Sequence, residues 1–363
     1  MFIAILLLLV AGIAYTGWHF WCIIPVAPVW KWVFVAFYLL SFLSTFVHYG
    51  LGDRLNIRLS AFTYWLGTSW MIFFLYALLL FLALDLGRLF HLVPADFLRN
   101  SLAGTCTVVG LVVALLVYGG VHYHHKYREV IEIETDKPLE KPLTVVLASD
   151  LHVGYHNRKA ELARWVGLIN AEKPDLVLFA GDILDGALRP ARVWRYDEEF
   201  RRIDAPVYSC LGNHEYIASA SSAVSFYSDA GIGLLRDSSV CVGGVRVIGR
   251  DDRSNRARKP LAELAGGASG AAFTILLDHQ PYNLEEAEAC GIDFQFSGHT
   301  HHGQIWPGNW LTDMLFEKAF GHHRRGGTRY YISSGLGIWG GKFRIGTRSE
   351  YVVLKLSSDG TRR

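Results

Sequence analysis

Five short clusters of metal-ligand residue types occur in fixed order over the C-terminal two thirds of the chain. They are Asp150-Leu151-His152, Gly181-Asp182, Gly212-Asn213-His214-Glu215, His279 within Asp278-His279-Gln280-Pro281, and Gly298-His299-Thr300-His301. Each follows an apolar, β-branched run: LTVVLAS, PDLVLFA, PVYSCL, FTILL and GIDFQFS. Such runs predict buried strands. The ligand-type side chains then fall at strand ends, where open α/β sheets bind their ligands. Asp, His and Asn without a thiolate suit hard to borderline divalent cations. A lone Asp-x-His or Gly-Asp is weak evidence, since most Gly-Asp pairs are turns; five clusters, each after a strand, form one signal.

The spacing indicates the chemistry. Residues two apart on a strand share a face, so Asp150 with His152, and His299 with His301, are each expected to point together. Asp182 has two oxygens with which to bridge two cations, and Asn213 offers a neutral carbonyl oxygen. Two cations sharing a water lower its pKa and create a hydroxide near neutral pH. They also offset charge developing on phosphoryl oxygens during in-line attack. His214 is the candidate for stabilising the transition state or protonating the leaving oxygen. Glu215 is expected to orient His214, and Asp185 either supports the site or caps a helix.

Strand–helix–strand alternation is predicted to carry these clusters. A helix over 159–171 places Leu162, Trp165, Val166 and Ile169 on one face, and Lys173-Pro174 ends it before the strand at 176–180. Later segments at 244–249, 274–277, 330–333 and 351–356 read as strands. The expected division is 1–125 as a transmembrane helical region, 126–143 as a linker and first strand around Val130–Glu134, and 144–363 as the catalytic domain.

The membrane assignment rests on charge and length. The chain has 35 basic and 33 acidic side chains, yet residues 1–125 hold only eight of them: Lys31, Asp53, Arg54, Arg58, Asp85, Arg88, Asp96 and Arg99. Four apolar stretches, near 2–26, 30–50, 61–85 and 101–121, each approach the ~20 residues needed to cross a bilayer. Trp18, Trp21, Trp30, Trp32 and Trp70 lie at or near their ends, as interfacial anchors do. Basic residues flanking the spans number six on the side of the C-terminal domain and three on the other. A multi-pass protein of the cell membrane with a cytoplasmic catalytic domain is therefore expected. Cys22, Cys106, Cys210, Cys241 and Cys290 read as small core residues, and no oxidising compartment is required.

The ordered clusters resemble the pattern D-x-H, G-D, G-N-H-[DE], H, G-H-x-H of the calcineurin-like metallophosphoesterase superfamily, over about 145–356. The resemblance implies a four-layer αββα sandwich following the N-terminal all-α transmembrane region. It implies one metal held by Asp150, His152, Asp182 and His301, and a second by Asp182, Asn213, His279 and His299. Two divalent ions are implied, with Mn favoured over Fe or Zn. Gly335-Leu336-Gly337 and Arg344 to Glu350 also resemble a membrane-associated branch that hydrolyses UDP-2,3-diacylglucosamine. The expected substrate is therefore a phosphate ester or diphosphate, lipid-linked in the manner of that compound, and membrane lipids are the expected partners. Nucleic acid is not. The alternative function is a transport or signalling membrane protein with a regulatory phosphoesterase domain. His19 and His48 alone are ionisable well inside the apolar runs, which is little for a transport pathway.

Three residues are candidates for substrate contact: Arg250 and Arg253, as a clamp on a diphosphate, and His302 beside the last cluster. His322-His323-Arg324-Arg325 reads as a solvated basic loop. The segment from Trp306 to Phe320 is unusually apolar for a loop, and reads equally as core or as an interfacial element.

Overall fold

The computed structural model describes residues 2–266 and 272–358. They form two compact units, Met1–Val121 with Gly340–Phe343, and His122–Trp339 with Arg344–Arg363.

The first unit contains α1 (Phe2–Ile23), α2 (Pro28–Leu51), α3 (Ile57–Leu89) and the start of α4 (Leu102–His124). All four are long and apolar enough to cross a membrane, and most of their large apolar side chains face outward, including Trp18, Trp32, Leu40 and Val117. Pro28 opens α2, where its missing N–H costs nothing. Asn56 caps α3 by accepting from the Arg58 backbone N–H at 2.9 Å. A Cβ on Gly67 would lie 2.9 Å from the Thr45 Cα, so glycine is what lets α2 and α3 approach this closely. The third apolar stretch does not end at Asp85 as the charge pattern suggested. The Asp85 carboxylate is met by the Tyr15 hydroxyl at 2.7 Å and by His19 Nε2 at 3.0 Å, and the helix continues to Leu89. Gly340–Phe343 groups with these helices rather than with the catalytic domain to which the sequence assigned it: the Gly340 N–H donates to the Tyr64 hydroxyl at 3.0 Å.

The second unit is built from β1 (Lys126–Thr135), β2 (Leu143–Ala148), β3 (Leu176–Ala180), β4 (Val207–Cys210), β5 (Gly233–Leu234), β6 (Ser238–Val242), β7 (Val245–Gly249), β8 (Phe273–Leu277), β9 (Phe294–Ser297), β10 (Gly321–Arg325), β11 (Thr328–Ile332) and β12 (Ser349–Ser358). Its helices are α5 (Lys159–Ala171), α6 (Leu188–Val193), α7 (Tyr196–Phe200), α8 (Asn213–Ala218), α9 (Ala220–Asp229), α10 (Leu261–Ala265), α11 (Leu284–Ala289) and α12 (Gly308–Leu315). The strands make two sheets, in the orders β1-β12-β2-β3-β4-β5 and β10-β11-β9-β8-β7-β6.

Alternation along each strand sorts the core into layers. Val145, Leu147, Leu176, Leu178, Val352 and Leu354 of the first sheet pack against Val247, Ile275, Leu277, Phe294 and Phe296 of the second. The opposite face of the first sheet, with Val146, Val177, Phe179 and Val353, is covered by Leu162, Trp165, Val166 and Ile169 of α5 and by Phe200 and Phe226. The far face of the second sheet, with Ile248, Leu276 and Ile332, is covered by Leu261 and Leu264 of α10 and Leu284 of α11. The result is helix, sheet, sheet, helix. The first strand of the 126–143 segment, β1, is longer than Val130–Glu134 and pairs in parallel with β12 along its whole length, from Lys126 opposite Ser349 to Thr135 opposite Ser358.

Candidate metal centre

β2, β3 and β4 run parallel in one sheet, and β8 and β9 run parallel in the other. The residues just beyond their C-terminal ends carry the clusters. Ser149 to His152 follow β2, Gly181-Asp182 follow β3, and Leu211-Gly212 lead from β4 into α8, which begins at Asn213. Asp278-His279 follow β8, and Gly298 to His301 follow β9.

These segments bring the candidate ligands within reach of one another. Asp150 Oδ1 lies 3.3 Å from His301 Nε2 and 3.9 Å from His152 Nε2. His152 Nε2 faces His301 Nε2 at 3.0 Å and Asp182 Oδ2 at 3.7 Å. Asp182 Oδ2 is also 3.2 Å from His279 Nε2. Asn213 Oδ1 is 3.2 Å from His279 Nε2 and 2.8 Å from His299 Nδ1. Asp150, His152 and His301 form one group of suitable ligand atoms, and Asp182, His279 and His299 form another.

The backbone that places them is not a continued strand. Asp150, His152, Asp182, His299 and His301 all have positive φ, between 45° and 71°. Strand alternation therefore does not place these side chains: Asp150 and His152 approach to 3.9 Å although each turns left-handed after its strand, and His299 and His301 fall in different ligand groups. Glycines make room at the closest approaches. A Cβ at Gly298 would lie 2.2 Å from Asp150 Oδ2, and one at Gly212 would lie 2.2 Å from Asp182 Oδ1.

The donor set fits divalent cations. Two imidazole nitrogens facing each other at 3.0 Å make at most one hydrogen bond between them, whereas both lone pairs are used when they meet a shared cation. Burial holds His301 well below the ordinary imidazole range and pushes His299 down to about 4, keeping both neutral as metal ligation requires. Burial alone would raise the Asp182 carboxyl, but the surrounding His279, His214 and His152 hold it well below the usual range. His279 titrates the other way: burial opposes its protonation, but Asp182 and Asp150 raise it well above the ordinary value. A cation at this position would supply the positive charge that the His279 proton otherwise provides.

His214 lies on the wall of the cavity, its Nδ1 3.6 Å from Asp185 Oδ1. The same Asp185 oxygen lies 3.3 Å from His152 Nδ1, so Asp185 supports two imidazoles and caps no helix; α6 starts after Ala187. Glu215 does not orient His214. Its carboxylate accepts the backbone N–H groups of Asp182 at 3.0 Å, Leu184 at 2.9 Å and Gly212 at 2.7 Å, tying the β3 and β4 loops together.

None of the three residues expected to contact substrate lines the cavity. Arg250 is buried and neutralised by Asp278 at 3.3 Å and Glu286 at 2.7 Å. Arg253 is exposed, over the Tyr282 ring. His302 stacks on Phe320, its Nε2 3.5 Å from Asp313. In each case a local partner of opposite charge or an aromatic face captures the side chain, which a sequence pattern does not reveal. The cavity, about 400 Å³ in volume, is lined by the candidate ligands Asp182, Asn213, His299 and His301, by His214, and by Leu311, Thr312, Phe316 and Trp339 among others.

A supporting residue that the sequence signalled only within a family stretch is Arg344. It is fully buried. Its guanidinium donates to the His301 carbonyl at 2.7 Å, to Gly337 O at 3.2 Å, to Ser349 Oγ at 3.2 Å and to Ser334 O. Burial draws its pKa down to about 10, so it stays charged at neutral pH. Lysine cannot reproduce this planar fork. Arg344→Met is expected to cost about 3 kcal/mol or more, because each buried acceptor left unpaired costs roughly 1–3 kcal/mol. For a unit of this size that lowers the thermal midpoint by roughly 6–12 °C. A calorimetric scan checks it, and an unchanged midpoint would show the carbonyls to be satisfied otherwise.

The layered sheets and the convergent Asp/His/Asn set define a hydrolytic centre of the two-cation phosphoesterase class. The sequence pattern of the calcineurin-like phosphoesterases matches residues 143–303. An uncharacterized metallophosphoesterase of Helicobacter pylori (strain J99) is 30% identical over 274 residues, spanning 72% of this chain and 74% of that protein. One from Campylobacter jejuni is 28% identical over 250 residues, 66% of each chain. A protein of Danio rerio described as a transmembrane protein with metallophosphoesterase domain is 29% identical over 278 residues, 69% of this chain and 62% of its own. This chain belongs to the calcineurin-like phosphoesterase family, as a membrane protein with four apolar helices ahead of the family's domain.

Proposed function

We propose that the protein is a membrane-embedded, binuclear metallophosphoesterase that hydrolyses a lipid-linked phosphate ester or diphosphate. The observation carrying the lipid-linked part is α12. None of its residues is buried. Trp310, Leu311, Met314 and Leu315 are 59%, 55%, 79% and 63% exposed, and Leu311 belongs to the wall of the same cavity as the candidate ligands. An exposed apolar patch of this kind marks a ligand or membrane interaction site, and its continuity with the ligand cavity suits a substrate whose phosphate is joined to acyl chains. The apolar loop is thus an exposed element rather than core.

In this reading Asp150, His152, Asp182 and His301 hold one divalent ion, and Asp182, Asn213, His279 and His299 hold the other. Bound there, two such ions lower the pKa of water and neutralise phosphoryl oxygens. Mn is the ion proposed, with imidazole and carboxylate ligation compatible with Fe and Zn as well. The protein's own part is positional. One Asp185 oxygen faces His152 and His214 on their Nδ1 sides, at 3.3 Å and 3.6 Å. That leaves Nε2 of His214 as the nitrogen that delivers a proton to the leaving oxygen. Glu215 and Arg344 hold the loops that carry Asp182 and His301.

The test is hydrolysis by detergent-solubilised protein, stripped of metal and given Mn, against p-nitrophenyl phosphate, its bis-ester and UDP-diacylglucosamine. Preferred cleavage of the lipid is expected. Replacing Leu311 and Met314 together by Ser is expected to lower lipid turnover about tenfold or more, from ~0.8 kcal/mol per buried CH₂ removed from contact, and to leave p-nitrophenyl phosphate turnover within about twofold. Equal losses on both substrates would remove α12 from lipid recognition.

We also propose that the catalytic unit is cytoplasmic. Arg54, Arg58, Lys126, Arg128, Lys137 and Lys141 flank the spans on its side, against Lys31, Arg88 and Arg99 on the other. Protease added to sealed vesicles is expected to cut this unit in inside-out preparations alone. Cleavage in right-side-out vesicles would reverse the assignment.

A further inference from the structure

The helical unit has a second polar cavity, about 360 Å³ in volume, at the end of the bundle where α1 finishes and α2 begins. Trp18, Trp21, Lys31, Arg88, Arg99 and Asn100 are among its lining residues. Backbone hydrogen bonds join two of the segments that line it. The Asn100 and Ser101 N–H groups donate to Cys22 O at 2.8 Å and Ile23 O at 2.9 Å, clamping the segment before α4 onto the end of α1.

Its charge is unbalanced. Asp85 serves Arg88 at 3.3 Å and His19 at 3.0 Å. Lys31 is only 9% exposed. Its Nζ donates to Trp21 O at 2.7 Å and Asn100 Oδ1 at 3.2 Å, and lies 5.7 Å from the Trp21 ring centre. All of these partners are neutral, and among the described residues neither Lys31 nor Arg99 has a carboxylate at ion-pair distance. An ammonium removed from water without an opposite charge is costly. With Asp85 counted against Arg88, the cavity keeps the two positive charges of Lys31 and Arg99. Trp18 is 65% exposed beside it, as a side chain at the headgroup level of a bilayer is.

We propose that this cavity is a phosphate-binding site occupied by the headgroup of an anionic phospholipid. The phosphodiester offers one negative charge shared by Lys31 and Arg99, halving the unbalanced charge, and the acyl chains follow the outward apolar faces of the helices. Basic residues at a membrane surface contribute enough to anionic lipid binding that losing one weakens it about fivefold.

The experiment uses the full-length protein, delipidated in detergent, with phosphatidylglycerol or phosphatidylcholine added back and bound lipid counted by native mass spectrometry. One phosphatidylglycerol per chain retained in preference to phosphatidylcholine is expected, with affinity about fivefold lower in Arg99→Gln and in Lys31→Gln. Arg99 is exposed, so its variant remains informative if the Lys31 variant does not fold. Equal retention of the two lipids, or unchanged retention in Arg99→Gln, overturns the proposal. Displacement of the lipid by millimolar inorganic phosphate would overturn the lipid assignment in favour of a free oxyanion.

Discussion

Asp182→Asn is expected to abolish Mn-dependent hydrolysis and to weaken metal binding at both positions together. Asp182 is 2% exposed, belongs to the ligand group with His279 and His299, and also approaches His152 of the other group. Oδ2 faces His279 at 3.2 Å and His152 at 3.7 Å, while Oδ1 accepts the His214 backbone N–H at 2.8 Å. An amide removes the negative charge that both groups share. It also leaves the buried imidazoles of His152 and His279 without their common anion. Loss of a mere outer partner of a ligand costs about 10–100-fold in metal affinity, so the loss here is at least of that order for each ion. Metal counting after dialysis should fall from two ions per chain toward none, and Mn should cease to raise the melting temperature, since ligand that binds only the folded state stabilises by mass action. A variant that still binds two ions would mean that Asp182 does not bridge.

His214→Ala is expected to separate chemistry from binding. A positioned acid contributes about 10²–10⁴-fold, and kcat should fall by that amount while two ions remain bound. His214 belongs to the cavity wall, and its ligand atoms group with those of His152 and Asp185 rather than with Asp182, His279 and His299. If it protonates the leaving oxygen, the defect depends on the leaving group. The loss should be large for an alkyl phosphate and small for p-nitrophenyl phosphate, whose leaving oxygen needs no proton. An equal loss on both would assign His214 to transition-state charge stabilisation instead. Loss of metal would make it a ligand.

The strands were legible because they are short apolar runs bounded by the ligand clusters themselves, while their stacking into four layers came from the family resemblance. β2, β3, β8 and β9 are each buried on both faces, so their composition alone marks them. The site was legible as a set of residues because each cluster directly follows a strand, and parallel strands in each sheet bring such ends together. What the sequence hid depends on partners distant along the chain. Arg250 is adjacent to a strand end in sequence, yet Asp278 and Glu286 hold it in an ion-pair network. Glu215 follows His214 directly, yet its three hydrogen bonds lie on the loops of two strands. Arg344 reaches the His301 carbonyl across 43 residues. Strand alternation predicted the right convergence of Asp150 with His152 for the wrong reason, since a positive φ leaves no mark on composition when the residue is Asp or His rather than glycine.

That left-handed geometry sets a conflict between durability and use. Each non-glycine residue held at positive φ costs on the order of 1 kcal/mol or more relative to the conformations it prefers, and Asp150, His152, Asp182, His299 and His301 all have it. A chain screened for heat resistance in chelator would therefore gain by exchanging these five for glycine, which accepts the conformation without a Cβ clash. Each gain would delete a candidate ligand. Screens for thermal tolerance thus push this molecule toward an inert scaffold, and only screens with divalent metal present, or with turnover as the readout, hold the centre in place.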